Sequence, residues 1–252
     1  MIKIKNEKQI ELLEKAGEIV YDTHQELKKH IKCGITTDEL NDIAESYIIS
    51  QNATPSFKNY HGYPKSICTS INEEVVHGIP SNRKLKNGDI VSIDIGAYYK
   101  GYHSDSAWTY PVGDISEDKA ILLEKTENSL YKGLEVIKEG CTTGDIGNAI
   151  ESYLKKYNLG IVEVLVGHGV GSELHEPPDI PNYGKKKTGP VLKAGMVIAV
   201  EPMINLGAKE VLMLEDEWTI VTADGKPSVH FEHTVLVLKE GFKILTKRWL
   251  YG

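Results

Sequence analysis

Leu85-Lys86-Asn87-Gly88-Asp89-Ile90-Val91-Ser92-Ile93-Asp94 returns later in the chain as Leu192-Lys193-Ala194-Gly195-Met196-Val197-Ile198-Ala199-Val200-Glu201. Leu, Lys and Gly coincide, the apolar positions coincide, and an acid closes both decapeptides. At nearly the same offset, Gly34-Ile35-Thr36-Thr37 is answered by Gly140-Cys141-Thr142-Thr143, and Glu45-Ser46-Tyr47 by Glu151-Ser152-Tyr153. Several matches in one order indicate two structurally related halves, about residues 1–110 and 111–252, within a single domain. The period is too long for a solenoid repeat.

Working outward from the first decapeptide, Ile10, Leu13, Val20, Leu27 and Ile31 recur at mostly helical spacing. Thr36 with Glu39 forms a capping-box pair ahead of Leu40, Ile43, Ala44 and Tyr47. The second half offers Leu123, Leu130, Leu134 and Ile137, then a helix opened by Thr142 or Thr143 and carrying Ile146, Ala149, Ile150 and Tyr153. Each half therefore reads helix, helix, strands. The fold class expected is α+β, two pseudo-symmetric halves with outer helices on a curved, largely antiparallel sheet. Gly184-Lys185-Lys186-Lys187-Thr188-Gly189 reads as a solvated turn.

The bulk numbers narrow the functional classes. At 252 residues and 40% hydrophobic composition the chain buries a sizeable core. A net charge of −7 argues against a DNA-binding surface. Cys33, Cys68 and Cys141 are few, odd in number and far apart, so no disulfide framework is implied and a reducing cytosol is the natural compartment. The N-terminal residues lack the apolar stretch of a signal peptide, and no run approaches the ~18 apolar residues that span a bilayer. The expectation is a soluble, cytoplasmic protein with no membrane partner.

The chemistry begins with acids. Asp89 to Ile95 reads as a strand, Tyr98-Tyr99-Lys100-Gly101 as a turn, and Tyr102 to Tyr110 as the return strand. A turn centred between Tyr99 and Lys100 sets Asp94 directly opposite Asp105, their Cβ atoms roughly 4.5–5.5 Å apart. Two like charges so placed require a cation between them or a proton. The repeat carries the same reasoning to Glu201, held extended by the following Pro202, and to Glu232 on the second return strand. His168, between Gly167 and Gly169, is left accessible by its glycines. Four carboxylates bring −4 and two divalent cations +4, with one neutral imidazole completing the set. Oxygen-rich ligation with one nitrogen suits Mn, Fe or Co, with Zn admissible. Two such ions about 3.5–4 Å apart activate water and polarise a carbonyl, which is hydrolytic chemistry. Gly167–Gly171 lacks the spacing and the Lys-Ser/Thr ending of a phosphate loop, and no Ser or Cys stands in a nucleophile elbow.

Val91-Ser92-Ile93-Asp94-Ile95-Gly96, His103-Ser104-Asp105, Gly167-His168-Gly169-Val170-Gly171, Val200-Glu201-Pro202-Met203 and Phe231-Glu232-His233-Thr234 together resemble the motif series of type I methionine aminopeptidases, in the short bacterial form, over essentially the whole chain. Tyr60–Ser66 and Asn72–Pro80 narrow the resemblance from the pita-bread metallopeptidases at large to the methionine enzymes. The resemblance implies a pita-bread (creatinase/aminopeptidase) fold and one catalytic domain over 1–252. It implies removal of the N-terminal methionine from nascent polypeptides with a small second residue, by a metal-bridged hydroxide. Asp94 would bind one metal, His168 and Glu201 the other, with Asp105 and Glu232 bridging. Glu201 would also carry the proton, His175 would stabilise the oxyanion and His77 would contact the scissile amide. The methionine pocket would be lined by Phe57, Tyr60, Tyr63, Cys68, Leu174 and Trp218, with His77 and His175 beside it. The family pattern favours a monomer and admits ribosome association.

Two positions depart from the pattern: His230, where many relatives carry Gln, and Leu174, where some carry Phe. The rival readings are an Xaa-Pro peptidase of the same fold and a non-catalytic module that binds peptides or proteins. Because a large second residue is refused, the chain's own Ile2 predicts that Met1 is retained.

Overall fold

The computed structural model describes residues 2–247; Met1, whose retention was predicted above, lies outside them. The first half runs α1 (Glu7–Lys28), α2 (Thr37–Ser50), β1 (Thr54–Pro55), a 3-10 turn (Tyr60–Gly62), β2 (Ile67–Ile71), β3 (Glu74–Val76), β4 (Ile90–Tyr99) and β5 (Tyr102–Pro111). The second runs α3 (Glu117–Leu134), α4 (Thr143–Leu154), β6 (Gly160–Ile161), β7 (Gly167–Gly169), β8 (Glu176–Ile180), β9 (Val197–Val200), β10 (Met203–Asn205), β11 (Val211–Met213), β12 (Ile220–Thr222), β13 (Ser228–His230), β14 (His233–Val237) and β15 (Phe242–Ile244).

The matched decapeptides make matched backbone bonds. Gly34 and Gly140 donate to Leu85 and Leu192, and those two leucines donate back to Ile35 and Cys141. Gly88 donates to Val112 and Gly195 to Val237. All four glycines have φ near +90°, a backbone region that L side chains rarely adopt, which is why the repeat keeps Gly at these places. Thr36 and Thr142 cap α2 and α4, each in a reciprocal capping box, with Glu39 and with Asp145. Each box satisfies amides that a helix start leaves open, a contribution of about 1 kcal/mol. Helix α1 stops at Lys28 and α3 at Leu134, so Ile31 and Ile137 lie beyond the helices their spacing suggested. On α3 the buried face carries Leu122 rather than Leu123.

All strand pairings among the described residues are antiparallel. They form four sheets rather than one continuous layer. The breaks have a cause. Strand β9 ends at Val200, and Glu201-Pro202 follows before β10; proline has no N–H to continue a ladder. Strand β13 ends at His230, and Phe231-Glu232 follows before β14. There the Glu232 N–H leaves its own sheet and donates to Ala107 of β5, 2.8 Å away. Both acids of the second half thus sit where strands pass from one sheet to another, facing the hairpin of the first half.

That hairpin differs in register from the sequence-based expectation. Asp94 faces Ala107, and Asp105 faces Gly96. The turn is the two residues Lys100 and Gly101, both at positive φ (46° and 98°). This matches the hairpin turns whose twist suits the strands. The turn centre lies one residue later than expected, so Asp94 and Asp105 are diagonal neighbours on one face of the pair instead of opposite partners. The face is preserved because the slip changes the pairing by two.

Candidate metal centre

Five side chains from both halves border one cavity of about 330 Å³. Asp94 comes from the middle of β4, Asp105 from β5, His168 from β7, and Glu201 and Glu232 from the two strand breaks. Ligand atoms of Asp105, His168 and Glu232 lie within 4.8 Å of one another. Glu201 joins them through His168, whose Nε2 stands 3.5 Å from Glu201 Oε1 and 3.5 Å from Asp105 Oδ2. Asp94 borders the same cavity, with Oδ1 buried and without a hydrogen-bond partner.

Each group is held from behind. The His168 Nδ1–H donates to the Gly169 carbonyl at 2.9 Å, which leaves the Nε2 lone pair directed at the carboxylates. A side chain at Gly167 would strike the Ala199 carbonyl, and one at Gly169 the Pro177 carbonyl, so glycine is what lets β7 lie this close to β9 and β8. Thr234 Oγ1 donates to Asp105 at Oδ1 and at the main-chain carbonyl. The Glu232 carbonyl accepts from Ser106 Oγ at 2.8 Å. The Glu201 carbonyl accepts from Asn182 Nδ2 at 3.0 Å.

The electrostatics of the cluster favour a cation among its acids. Burial, and then Asp105 and Glu201, push Asp94 well above the carboxylate range. Glu232 is pushed up in the same way by burial and by Asp105, Glu201 and Asp94. Burial raises Glu201 to about 8, with Asp105 adding to it and His168 opposing. Clustered, desolvated carboxylates with an orphaned oxygen and an imidazole lone pair are a donor set that fits divalent metal ions. Among the described residues no lysine or arginine borders the cavity to serve instead.

A prediction follows for the metal-free protein. Asp94, Glu201 and Glu232 bind their protons more tightly folded than unfolded, so their contribution to stability is present at low pH and is lost as pH rises through the folded-state values. The melting temperature of chelator-treated protein should fall from about pH 4.5 to about pH 8, the interval spanned by Glu201. Saturating Mn²⁺ should remove most of the fall, because an ion that binds only the folded state stabilises it. A pH-independent melt of the metal-free protein would contradict the clustering.

Beside the acids, Phe57, Tyr63, Cys68 and Leu174 form a buried apolar cluster that lines the cavity, with Tyr60 at its edge. Cys68 is the register partner of Asp94 on β2, which ties the pocket to the acid cluster by one ladder. Trp218 does not line the cavity. It packs edge-on behind Tyr63, with ring centroids 5.1 Å apart, and so supports the wall instead of forming it. His77 and His175 reach the cavity from its exposed side. His77 holds a φ of 59°, a conformation uncommon for a residue with a side chain. His175 Nδ1 is 2.8 Å from the Tyr60 hydroxyl, and its ring stands edge-on to His168 at 4.2 Å.

The residue types alone did not single out Val76, Leu165, Met203 or Asp179, which also line the cavity. His230, noted above only as a departure from the family pattern, is buried, with Nε2 3.4 Å from Glu201 Oε2 and without a hydrogen-bond partner at that nitrogen.

The model of metallopeptidase family M24 matches residues 11–239. Methionine aminopeptidase 1 of Bacillus subtilis is 56% identical over 247 residues, which cover 98% of this chain and 100% of the relative. The crystal structure of methionine aminopeptidase from Rickettsia prowazekii is similar with a TM-score of 0.96 at 44% identity, covering 98% of this chain and 100% of that one. A prolidase structure from Pyrococcus furiosus is similar with a TM-score of 0.78 at 29% identity, and the match covers only 66% of that chain.

Proposed function

The chain belongs to metallopeptidase family M24, among its methionine aminopeptidases, and from that premise we propose how its site works. It is a metal-dependent hydrolase that removes the N-terminal methionine from polypeptides whose second residue is small. The observation that carries this reading is the adjacency of two unlike surfaces in one cavity: an acid and imidazole cage, and a closed apolar pocket with aromatic and sulfur walls. The second suits an unbranched thioether side chain. Residues 1–252 act as one catalytic domain in which each repeat half supplies part of the cage.

Asp94, Asp105, His168, Glu201 and Glu232 would hold two divalent ions, the number that balances four carboxylates. Mn, Fe, Co and Zn are all compatible with this donor set. When bound, such ions supply Lewis acidity toward the scissile carbonyl and acidify water. Glu201 takes the proton of the attacking water and passes it toward the leaving amine. It suits the part by its position, one oxygen facing His168 and the other His230. The Tyr60 hydroxyl, by donating to His175 Nδ1, leaves the Nε2–H of His175 as a donor for the developing oxyanion. His77 contacts the scissile amide nitrogen from the exposed side. Phe57, Tyr63, Cys68 and Leu174 bury the methionine side chain, with Tyr60 at the edge and Trp218 bracing Tyr63.

Met-Ala-Ser should be cleaved with kcat/KM at least about a hundredfold above that of Met-Leu-Ser, since steric exclusion next to the scissile bond acts on the transition state. An Xaa-Pro substrate should not be turned over. Preference for Xaa-Pro would instead favour the prolidase reading, and no turnover of either, with metal bound, would favour a binding module.

No helix among the described residues is long and apolar enough to cross a membrane. Cys33, Cys68 and Cys141 are all free thiols. The free thiols support a reducing, cytoplasmic compartment; a monomer acting on nascent chains is the rest of the reading. Pelleting with ribosomes tests whether that action takes place on the ribosome.

A further inference from the structure

We propose that Lys5, acting through Glu176, positions His175, so that the segment ahead of the first helix is part of the catalytic apparatus. This rests on the oxyanion role assigned to His175 above.

The segment is fixed first by its backbone. The Lys5 N–H donates to the Gly195 carbonyl at 2.8 Å, in the turn of the second decapeptide. From there the Lys5 side chain runs inward. Its ammonium is 2.9 Å from Glu176 Oε2, and both side chains are almost fully buried, 5% and 3% exposed. Lys3 reaches the other oxygen, Oε1, at 3.0 Å, but from a half-exposed position where a charge contact is worth little. Ser172 Oγ and the Glu173 N–H also donate to Oε1, each at 3.3 Å.

Glu176 therefore closes the turn 171–176 on itself. A side chain at Gly171 would collide with the same carboxylate, 2.5 Å from Oε1, so the turn is folded tightly around it. The Gly171 carbonyl is in turn held by the His103 N–H at 2.8 Å. This turn carries Leu174, in the pocket wall, and His175. Neither Lys5 nor Glu176 lines the cavity. Their influence reaches it only through the backbone between Gly171 and Glu176.

A buried ion pair is an expensive way to add stability, because the desolvation of both charges offsets most of their attraction. What it does provide is a fixed geometry: an anionic anchor that accepts only where its donors stand. Here the anchored residue adjoins His175, whose ring is held on its other side by Tyr60. An oxyanion donor displaced by a fraction of an ångström loses much of its effect, while substrate binding in the apolar pocket is little changed.

The test is a mutant cycle read with Met-Ala-Ser. Lys5→Met should lower kcat about tenfold or more, with KM and metal stoichiometry unchanged within about twofold. Lys5→Arg should restore kcat to within about threefold, since it keeps a donor for Glu176. The double variant Lys5→Met/Glu176→Gln leaves no buried charge unpaired. It should fold and show the same loss of kcat, which separates positioning from simple unfolding. In a His175→Ala background, Lys5→Met should cost nothing further, because the group it positions is gone. Equal losses in both backgrounds, or no loss in the wild type, would overturn the proposal. A His175→Ala enzyme with wild-type kcat would remove the premise and the proposal together, while loss on His175→Ala with an inert Lys5→Met would remove the proposal alone.

Discussion

Asp94→Asn should leave the fold intact and lower kcat/KM for Met-Ala-Ser by about a thousandfold or more, the scale expected when transition-state charge stabilisation by a metal is lost. The two halves of that expectation have separate causes. One carboxyl oxygen of Asp94, Oδ1, is buried and unpartnered, and the backbone hydrogen bond from Ile95 to the carboxyl is one that an asparagine Oδ1 can also accept. Its backbone ladder with Cys68 and Ala107 does not depend on the side chain. Asparagine has the same shape and removes one of the four charges whose mutual repulsion raises the cluster. The metal-free variant should therefore melt at or above the wild-type temperature near pH 8. Yet it lacks the carboxylate that alone reaches the cavity from β4, and its affinity for the first row of divalent ions should fall by at least about tenfold in a calorimetric titration. Undiminished turnover of Met-Ala-Ser by this variant would defeat the metal mechanism.

Glu201→Gln should cost more in kcat than any other single isosteric change at the site, about 10³- to 10⁴-fold, because it removes both a cage carboxylate and the group proposed to carry the proton. The argument is one of position. Glu201 follows the end of β9, with its main-chain carbonyl accepting from Asn182 and Pro202 next in the chain, which fixes the backbone that carries the carboxyl. One oxygen faces His168 and the other faces His230. In the metal-free protein burial lifts it to about 8. Nearby cations would lower that value, so in the loaded enzyme the acid limb of the pH profile reports the pair of ions and Glu201 together. Glutamine keeps the shape and cannot titrate. The variant should lose the part of the metal-free stability decline that Glu201 contributes between about pH 4.5 and about pH 8. A Glu201→Gln enzyme with kcat within about tenfold of wild type would show that the proton travels by another group.

Much of this site was legible in the residues because each acid stands where a solvated charge is out of place. Asp94 and Glu201 close β-branched runs, and the duplication places one as the counterpart of the other. Thr36 with Glu39 announces one helix start through local chemistry; at the other the sequence leaves Thr142 and Thr143 open, and the fold chooses Thr142, boxed with Asp145. The hairpin register was not legible in the same way. Its turn lacks the Asn-Gly or Asp-Gly pair that would mark the centre, and Lys100 adopts a left-handed conformation that its type does not favour. The Gly101 that follows was the available signal.

His230 illustrates a different limit. Its main-chain N–H donates to Thr109 Oγ1, which donates in turn to the His230 carbonyl, and this sets the imidazole against Glu201. That contact joins residues far apart in sequence, so spacing cannot reveal it. Trp218 meets a related limit, since it packs against the pocket cluster without a local signature of its role. An aromatic near a pocket can line it or brace it, and only the edge-on packing against Tyr63 decides. His77 and His175 carry no local signature beyond neighbouring Gly and Pro; they were found through the family resemblance, and the left-handed φ of His77 became visible only in the fold.

The central claim is that Asp94, Asp105, His168, Glu201 and Glu232 jointly enclose two divalent ions. Anomalous diffraction from crystals grown with Mn²⁺, recorded on both sides of the manganese edge, tests it most directly. The account predicts two anomalous peaks inside the cavity, both contacted by Asp105 and Glu232, and one of them absent in the Asp94→Asn protein. Fully occupied crystals with no peak among these five side chains, while the protein still cleaves Met-Ala-Ser, would contradict it.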